Sequence, residues 1–139
     1  MKRIFIIGFP RSGTTLLQSL LGTADNVMSL PESHFFSSYY ACPLDRFPLP
    51  PLVADRLYFP RLWGDKKYYK QFVFDTDLIP ESAKHEAESL KPQTFIQLLD
   101  NTAESCNQTT WVEKTPMHIR RIPAIQRHIP NAVFIHIIR

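Results

Sequence analysis

The sequence predicts an α/β domain, a parallel β-sheet flanked by helices, and three observations lead to it. Ile4 to Ile7 is a continuous apolar, β-branched-rich run, which suits a strand buried on both faces. A stretch rich in Gly and Ser, Gly8 to Gly13, follows at once and opens into an amphipathic helix. Ala132 to Ile138 is the second strongest strand signal of the chain. Strand, glycine loop and helix in succession form the first unit of an α/β fold, in which ligands bind beyond the carboxyl ends of the strands.

The elements follow in order. Thr14 to Leu21 carries Leu16, Leu17, Leu20 and Leu21 at helical spacing, with Gly22 as its stop. Asn26 to Leu30 is a short second strand, Pro31-Glu32-Ser33 ends it in a turn, and Ser33 is placed to cap a short helix through Tyr40. Five prolines between Cys42 and Pro60 exclude regular structure and predict a long surface loop. Tyr58 to Phe74 is rich in Tyr, Trp and Phe, which suits either packing under that loop or an acceptor pocket. Gln93 to Cys106 places Phe95, Ile96, Leu99, Ala103 and Cys106 on one helical face. Thr110 to Glu113 is a further short strand. Pro116 to Ile129 is helical with an interruption at Pro123, and Ile119, Ile122, Ile125 and Ile129 form its apolar side. Pro130-Asn131 turns the chain into the last strand.

The length of 139 residues, 44% apolar and 21% charged, is that of one soluble globular domain. A net charge of +3 suits a small anionic ligand and falls short of a nucleic-acid footprint, since Arg120-Arg121 and Lys66-Lys67 are isolated pairs that read as solvated surface. Cys42 and Cys106 fit no metal or redox spacing and read as two separate buried thiols or one disulfide. No metal site is expected, because His, Cys and carboxylate residues never fall at ligand spacing. The apolar start after Met1-Lys2-Arg3 is too short for a signal peptide, and no run nears the roughly 20 apolar residues of a membrane span. The expectation is a cytoplasmic protein without membrane insertion, or a lumenal one if an anchor precedes Met1.

The chemistry centres on Gly8-Phe9-Pro10-Arg11-Ser12-Gly13-Thr14-Thr15. Two glycines separated by four residues permit a tight turn whose amide groups converge on an anion at the helix start. The nucleotide-hydrolase fingerprint G-x-x-x-x-G-K-[ST] requires Lys after the second glycine. Thr14 stands there instead, and the basic residue, Arg11, lies inside the loop. That departure weighs against an ATP- or GTP-hydrolysing enzyme and favours one phosphate in the nest with a charged leaving group beside Arg11.

Phe9-Pro10-Arg11-Ser12-Gly13-Thr14-Thr15-Leu16-Leu17 resembles the 5′-phosphosulfate-binding loop of sulfotransferases that use 3′-phosphoadenosine 5′-phosphosulfate (PAPS). The Pro-Arg-Ser-Gly-Thr-Thr form is similar to the tyrosylprotein sulfotransferase branch and its bacterial relatives. Leu30-Pro31-Glu32-Ser33 falls where that branch carries a catalytic glutamate, and Glu113-Lys114-Thr115-Pro116 resembles its Lys-Asp-Pro segment. Pro130-Asn131-Ala132-Val133-Phe134, leading to Arg139, resembles the strand that ends in the 3′-phosphate-binding Arg. His34 stands where the tyrosylprotein enzymes have an Arg for acidic peptides, which argues against a tyrosine-protein acceptor.

The resemblance implies a sulfotransferase fold of the P-loop type, PAPS as sulfate donor, no metal, and a small-molecule, carbohydrate or peptide acceptor bearing a hydroxyl or amine. It implies that Arg11 stabilises the leaving 5′-phosphate, that Ser12, Gly13, Thr14 and Thr15 hold that phosphate, and that Arg139 binds the 3′-phosphate. Glu32 becomes the general base, with a pKa expected to rise beside a dianionic ligand. Lys114 steadies the transferring sulfonate or is an exposed lysine, while His34 and His136 read as packed or surface residues. Residues 1–139 are then the N-terminal portion of the domain, with the phosphate loop at 8–15, a variable acceptor-side region at 39–90 and the 3′-phosphate strand at 132–139. Because the chain stops directly after that strand, it is expected to be C-terminally incomplete and inactive alone. A P-loop kinase or NTPase and a catalytically inactive phosphate-binding module are the competing readings.

Overall fold

The computed structural model describes residues 1–40 and 91–138. Its centre is strand β1 (Lys2–Gly8), followed by helix α1 (Thr14–Leu21), strand β2 (Val27–Leu30) and a short helix α2 (Phe35–Tyr39). Helix α3 (Pro92–Ser105), strand β3 (Thr110–Lys114), a 3-10 turn (Pro116–Arg121), helix α4 (Ile122–His128) and strand β4 (Val133–Ile137) complete the described fold. The strands form one parallel sheet in the order β2-β3-β1-β4. The predicted α/β class, a parallel sheet flanked by helices, is the one observed.

The apolar run of β1 needs cover on both faces, and alternation divides it accordingly. Phe5 and Ile7 point into a large core with Met28, Leu30, Phe35, Phe36, Phe95, Leu99, Trp111 and Ile125. Ile4 and Ile6 point the other way, with Val112, and are covered by Leu17 and Leu21 of α1. Helix α1 therefore lies on one face, and α2, α3 and α4 on the other. Right-handed crossovers account for this layering: β1 to β2 runs outward across one face, and the chain then returns to β3 and on to β4 across the opposite face.

Aromatic edges fix the larger core. Phe5 meets Phe36 at 6.0 Å and Trp111 at 5.3 Å, both edge-on, and Phe35 stacks on Phe95 at 4.0 Å. Trp111 Nε1 donates to Asp100 Oδ1 at 2.8 Å, and Arg3 clamps the same carboxylate through Nε at 3.1 Å and Nη2 at 2.7 Å. One aspartate of α3 thus ties the helix to β1 and β3 together. Pro92 and Pro123 each occupy the first turn of their helices, where a missing N–H costs nothing. The 3-10 turn before Ile122 is the break anticipated at Pro123.

Four sequence expectations change. Leu17 and Leu21 are the core-facing pair of α1, whereas Leu16 and Leu20 remain 66% and 60% exposed, because adjacent positions lie about 100° apart around a helix. Cys106 lies past the end of α3 and is an exposed free thiol, not a core residue. Arg121 is buried, so the Arg120-Arg121 pair is not wholly solvated surface. Gly22 caps α1 with an ordinary right-handed backbone rather than a left-handed stop. His136 is exposed, within its packed-or-surface expectation. The proline-rich loop from Cys42, the aromatic stretch from Tyr58 to Phe74, most of the acceptor-side region 39–90 and Arg139 lie outside the described residues.

Phe5, fully buried in the larger core between the sheet and the layer of α2, α3 and α4, is the severest point to truncate. Phe5→Ala is expected to cost about 3–5 kcal/mol, read as a lowered denaturation midpoint with near-native far-UV dichroism.

Candidate active site at the carboxyl edge of the sheet

Because all four strands are parallel, their carboxyl ends share one edge. Register sets what meets there: Ile6 pairs with Lys114, Gly8 with Ile137, and Leu30 with Glu113. The loop after β1 and the turn after β2 therefore flank the end of β3, with neighbouring strands roughly 4.8 Å apart. Helix α1 adds a tie, since Gln18 Nε2 donates to the carbonyl of Leu30 at the end of β2.

The loop after β1 depends on its glycines. At Gly8, φ is 152° and an added Cβ would lie 2.7 Å from the carbonyl oxygen of Ile137, so a side chain would force β1 and β4 apart. At Gly13, φ is 95°, and the residue opens α1 as its N-cap. Arg11 also sits in the left-handed region, at φ 64°, between the two glycines. Ser12 turns back on Phe9, whose carbonyl accepts from its amide at 3.3 Å and its Oγ at 2.7 Å. Thr14 is buried and Thr15 exposed. The first N–H groups of α1 lack intrahelical acceptors by geometry, so this end of the helix carries donors and a positive partial charge suited to an anion.

The turn after β2 holds Glu32, and its carboxylate is gripped from two sides. Lys114 Nζ donates to Glu32 Oε1, and His34 Nε2 lies 3.1 Å from Glu32 Oε2. Lys114 is almost completely buried at the end of β3, which removes the alternative of an exposed lysine. The hydrogen bond from His34 is the strongest influence on Glu32, and with Lys114 it outweighs partial burial and lowers the pKa to about 2. Lys114 and His34 are thus the two donors that hold Glu32 ionised, whereas the rise expected beside a dianionic ligand concerns the donor-bound site. His34, read there as a packed or surface residue, belongs to the site.

Behind the turn lies a second carboxylate. Glu113 is completely buried and accepts at Oε1 from Ser33 N at 3.0 Å, Ser33 Oγ at 2.7 Å and Thr115 Oγ1. His118 Nδ1 lies 3.1 Å from its Oε2. Burial favours the neutral acid, yet His118, Thr115 and Ser33 together hold the Glu113 pKa below the ordinary carboxylate range. Ser33 Oγ in turn accepts from Phe35 N at 3.2 Å, which makes Ser33 the expected cap of the short helix. The roles of Glu113 and His118 were missed in the sequence. A glutamate directly after Trp111 and Val112 in a strand, followed five positions later by His118, was the available signal.

The structure therefore brings Glu32, Lys114 and His34 into direct contact, and places Arg11, Ser12, Gly13, Thr14 and Thr15 on the loop that leaves the neighbouring strand. A depressed carboxylate pKa has a consequence for stability. The Glu32 contribution is complete above the ordinary value near 4.5 and is lost as pH falls through about 2. The melting-temperature difference between wild type and Glu32→Gln is accordingly expected to be constant from neutral pH down to about pH 5, and to shrink below it. A pH-independent difference would show that the carboxylate is not held ionised by these partners.

The model of the sulfotransferase family matches residues 3–139. Among solved structures, the chain is similar to the sulfotransferase STF1 from Mycobacterium tuberculosis H37Rv, with 20% identity and a TM-score of 0.46. That match covers 99% of this chain and 45% of the mycobacterial one, so the chain spans less than half the length of that protein. No curated protein matches the sequence significantly. Among the described residues, no helix is long and apolar enough to cross a membrane. With a family model matched over nearly its full length, and a parallel sheet whose carboxyl edge gathers the glycine loop, Glu32 and Lys114, the chain belongs to the sulfotransferase family.

Proposed function

We propose that this chain provides the donor-binding loop and the base of an enzyme that moves a sulfuryl group from PAPS to a hydroxyl or amine acceptor. The observation that carries the reading is the pairing of Glu32 with Lys114 beside the loop after β1. The loop fits the donor: Gly8 leaves no room for a side chain, Gly13 opens α1, and the helix start offers amide donors to a phosphate. Ser12, Gly13, Thr14 and Thr15 would hold the 5′-phosphate, and Arg11, always charged and rich in donors, would neutralise the leaving phosphate. Arg139, beyond the described residues, is proposed for the 3′-phosphate. The bound donor supplies an activated sulfuryl group, open to in-line displacement by a nucleophile, so positioning and charge neutralisation are the protein's main tasks.

Glu32 takes the acceptor proton. At neutral pH it is already the carboxylate, the form a base requires. Lys114 and His34 also make it a weak base, since every hydrogen bond they donate competes with the incoming proton. Lys114 resolves that conflict if it moves from Glu32 to the oxygens of the transferring group: charge is neutralised there while the proton affinity of Glu32 rises.

Thermal unfolding of the intact protein with adenosine 3′,5′-bisphosphate, ATP or GTP tests the donor. The bisphosphate is expected to stabilise by about 2.7 kcal/mol at a hundredfold excess over its Kd, with no effect from ATP or GTP. Stabilisation by ATP alone would instead support the kinase or NTPase reading, which Thr14 in the lysine position disfavours. In the active enzyme, Glu32→Gln is expected to lower turnover by about 10²-fold or more and Arg11→Ala by about 10²–10³-fold. Turnover within a few-fold of wild type in Glu32→Gln would remove Glu32 as the base.

A further inference from the structure

Three successive residues at the end of β3 grip three successive residues of the turn after β2. Lys114 bonds Glu32, Glu113 bonds Ser33 through both its amide and its hydroxyl, and Thr115 Oγ1 accepts from His34 N at 3.2 Å. Strand alternation sends Lys114 and Glu113 to opposite faces of the sheet, so the turn is held from both sides. Lys114 shares the α1 side with Ile4, Ile6 and Val112, while Glu113 shares the α2 side with Trp111.

Only the Lys114 contact touches the Glu32 carboxylate from β3. The Glu113 contacts act on the backbone beside it, and that backbone is strained. His34 has φ 52°, in the left-handed region that only a few per cent of non-glycine residues occupy, though His is among those found there more often. In this conformation His34 Nε2 reaches Glu32 Oε2. Bonds that oppose its relaxation run from Ser33 N and Ser33 Oγ to Glu113 and from His34 N to Thr115, beside that of Ser37 Oγ to the His34 carbonyl. Thr115 Oγ1 itself donates to Glu113, so the first three converge on a single carboxylate.

Glu113 is well suited to this task. It has no exposure to solvent, it is anchored at Oε2 by His118, and His118 is packed edge-on between Phe5 at 6.2 Å and Phe36 at 5.7 Å. An ionised carboxylate only accepts, so Nδ1 of His118 carries the proton shared with it. The anchor therefore reaches from the aromatic core to the turn without crossing water.

We propose that Glu113 is a positioning residue, whose buried carboxylate locks the turn so that the Glu32 carboxylate is held between Lys114 and His34. Its catalytic meaning rests on the reading of Glu32 as the base; its geometry does not. The lock operates at the turn backbone, so its release lets His34 leave the left-handed region and withdraw from Glu32.

The test is the ionisation of Glu32 itself, followed by carbon-13 NMR of the side-chain carboxyl in glutamate-labelled intact protein, with the resonance assigned by its loss in Glu32→Gln. In wild type the carboxylate signal is expected to persist to about pH 3. In Ser33→Ala and Glu113→Gln the midpoint is expected to rise by about one pH unit or more toward the ordinary range. Lys114 and His34, the groups that face Glu32 among the described residues, are unchanged in both variants. Ile125→Val, a core truncation remote from the turn in sequence, supplies the control: it is expected to lower the melting temperature and leave the Glu32 midpoint in place. If Glu113→Gln does not fold, Ser33→Ala alone decides the matter, since it removes the hydroxyl bond to Glu113, with the Phe35 N cap, without changing charge. A Glu32 midpoint equal to wild type in folded Ser33→Ala, and in Glu113→Gln where that variant folds, overturns the proposal. Should Glu32→Gln retain turnover while these midpoints still move, the base assignment falls and Glu113 remains a positioning residue for that carboxylate.

Discussion

The rest of the fold depends on the double burial of β1. A strand apolar on both faces has to be covered by two layers, and its backbone has to be paired along both edges. Parallel neighbours meet the second demand, and helical crossovers on either face meet the first. Their shared outcome is that polar side chains gather at the two ends of the sheet, the Arg3–Asp100–Trp111 clamp near the amino ends and the candidate site at the carboxyl edge. Gly8 marks that limit within β1 itself: the last residue of the strand lies so close to Ile137 that it carries no side chain.

Polar groups beyond that limit survive burial by pairing among themselves. Glu113 and Lys114 sit side by side, both nearly inaccessible, yet they do not pair with each other, because alternation points them to opposite faces. Each finds its partner in the turn after β2 instead. Leaving one of them unpaired would incur much of the desolvation cost of a buried charge, so the turn has little freedom to move away. The same pairs that make burial tolerable also fix the turn's geometry. This is a stronger constraint than the two hydrogen bonds of Gln18 and Ser12 near it, which satisfy carbonyls but hold no charge.

Much of this was legible from the residues. The β1 run, the glycine loop, the helix at Thr14 and the final strand are local signals, and local signals survive folding because period and turn chemistry decide them. Glu32 and Lys114 were legible as candidates only through resemblance; their contact was not, since 82 residues separate them and the contact arises from β2 pairing with β3. His34 and Glu113 were illegible for a related reason. A histidine after a turn carries no local mark of its left-handed backbone, and a glutamate in a strand gives no indication of which face it takes until register is fixed. Leu16 and Leu20 misled in the opposite sense, because a leucine stripe wider than its binding face cannot be wholly covered by the sheet.

The electrostatics of Glu32 bear on why an Arg rather than a Lys stands in the glycine loop. Lys114 already holds the Glu32 carboxylate from the adjacent strand, so on the proposed reading the loop cation is left to the donor's phosphate. A guanidinium is planar, always charged and matched to the forked oxygens of a phosphate. Arg11 is also fixed at a left-handed position between two glycines, so its backbone is set by the loop rather than by its charge. Division of labour follows from these differences. On the proposed reading, the loop would serve the leaving group with a cation that is always charged, and β3 would serve Glu32 with one that can be exchanged between that carboxylate and the transferring group.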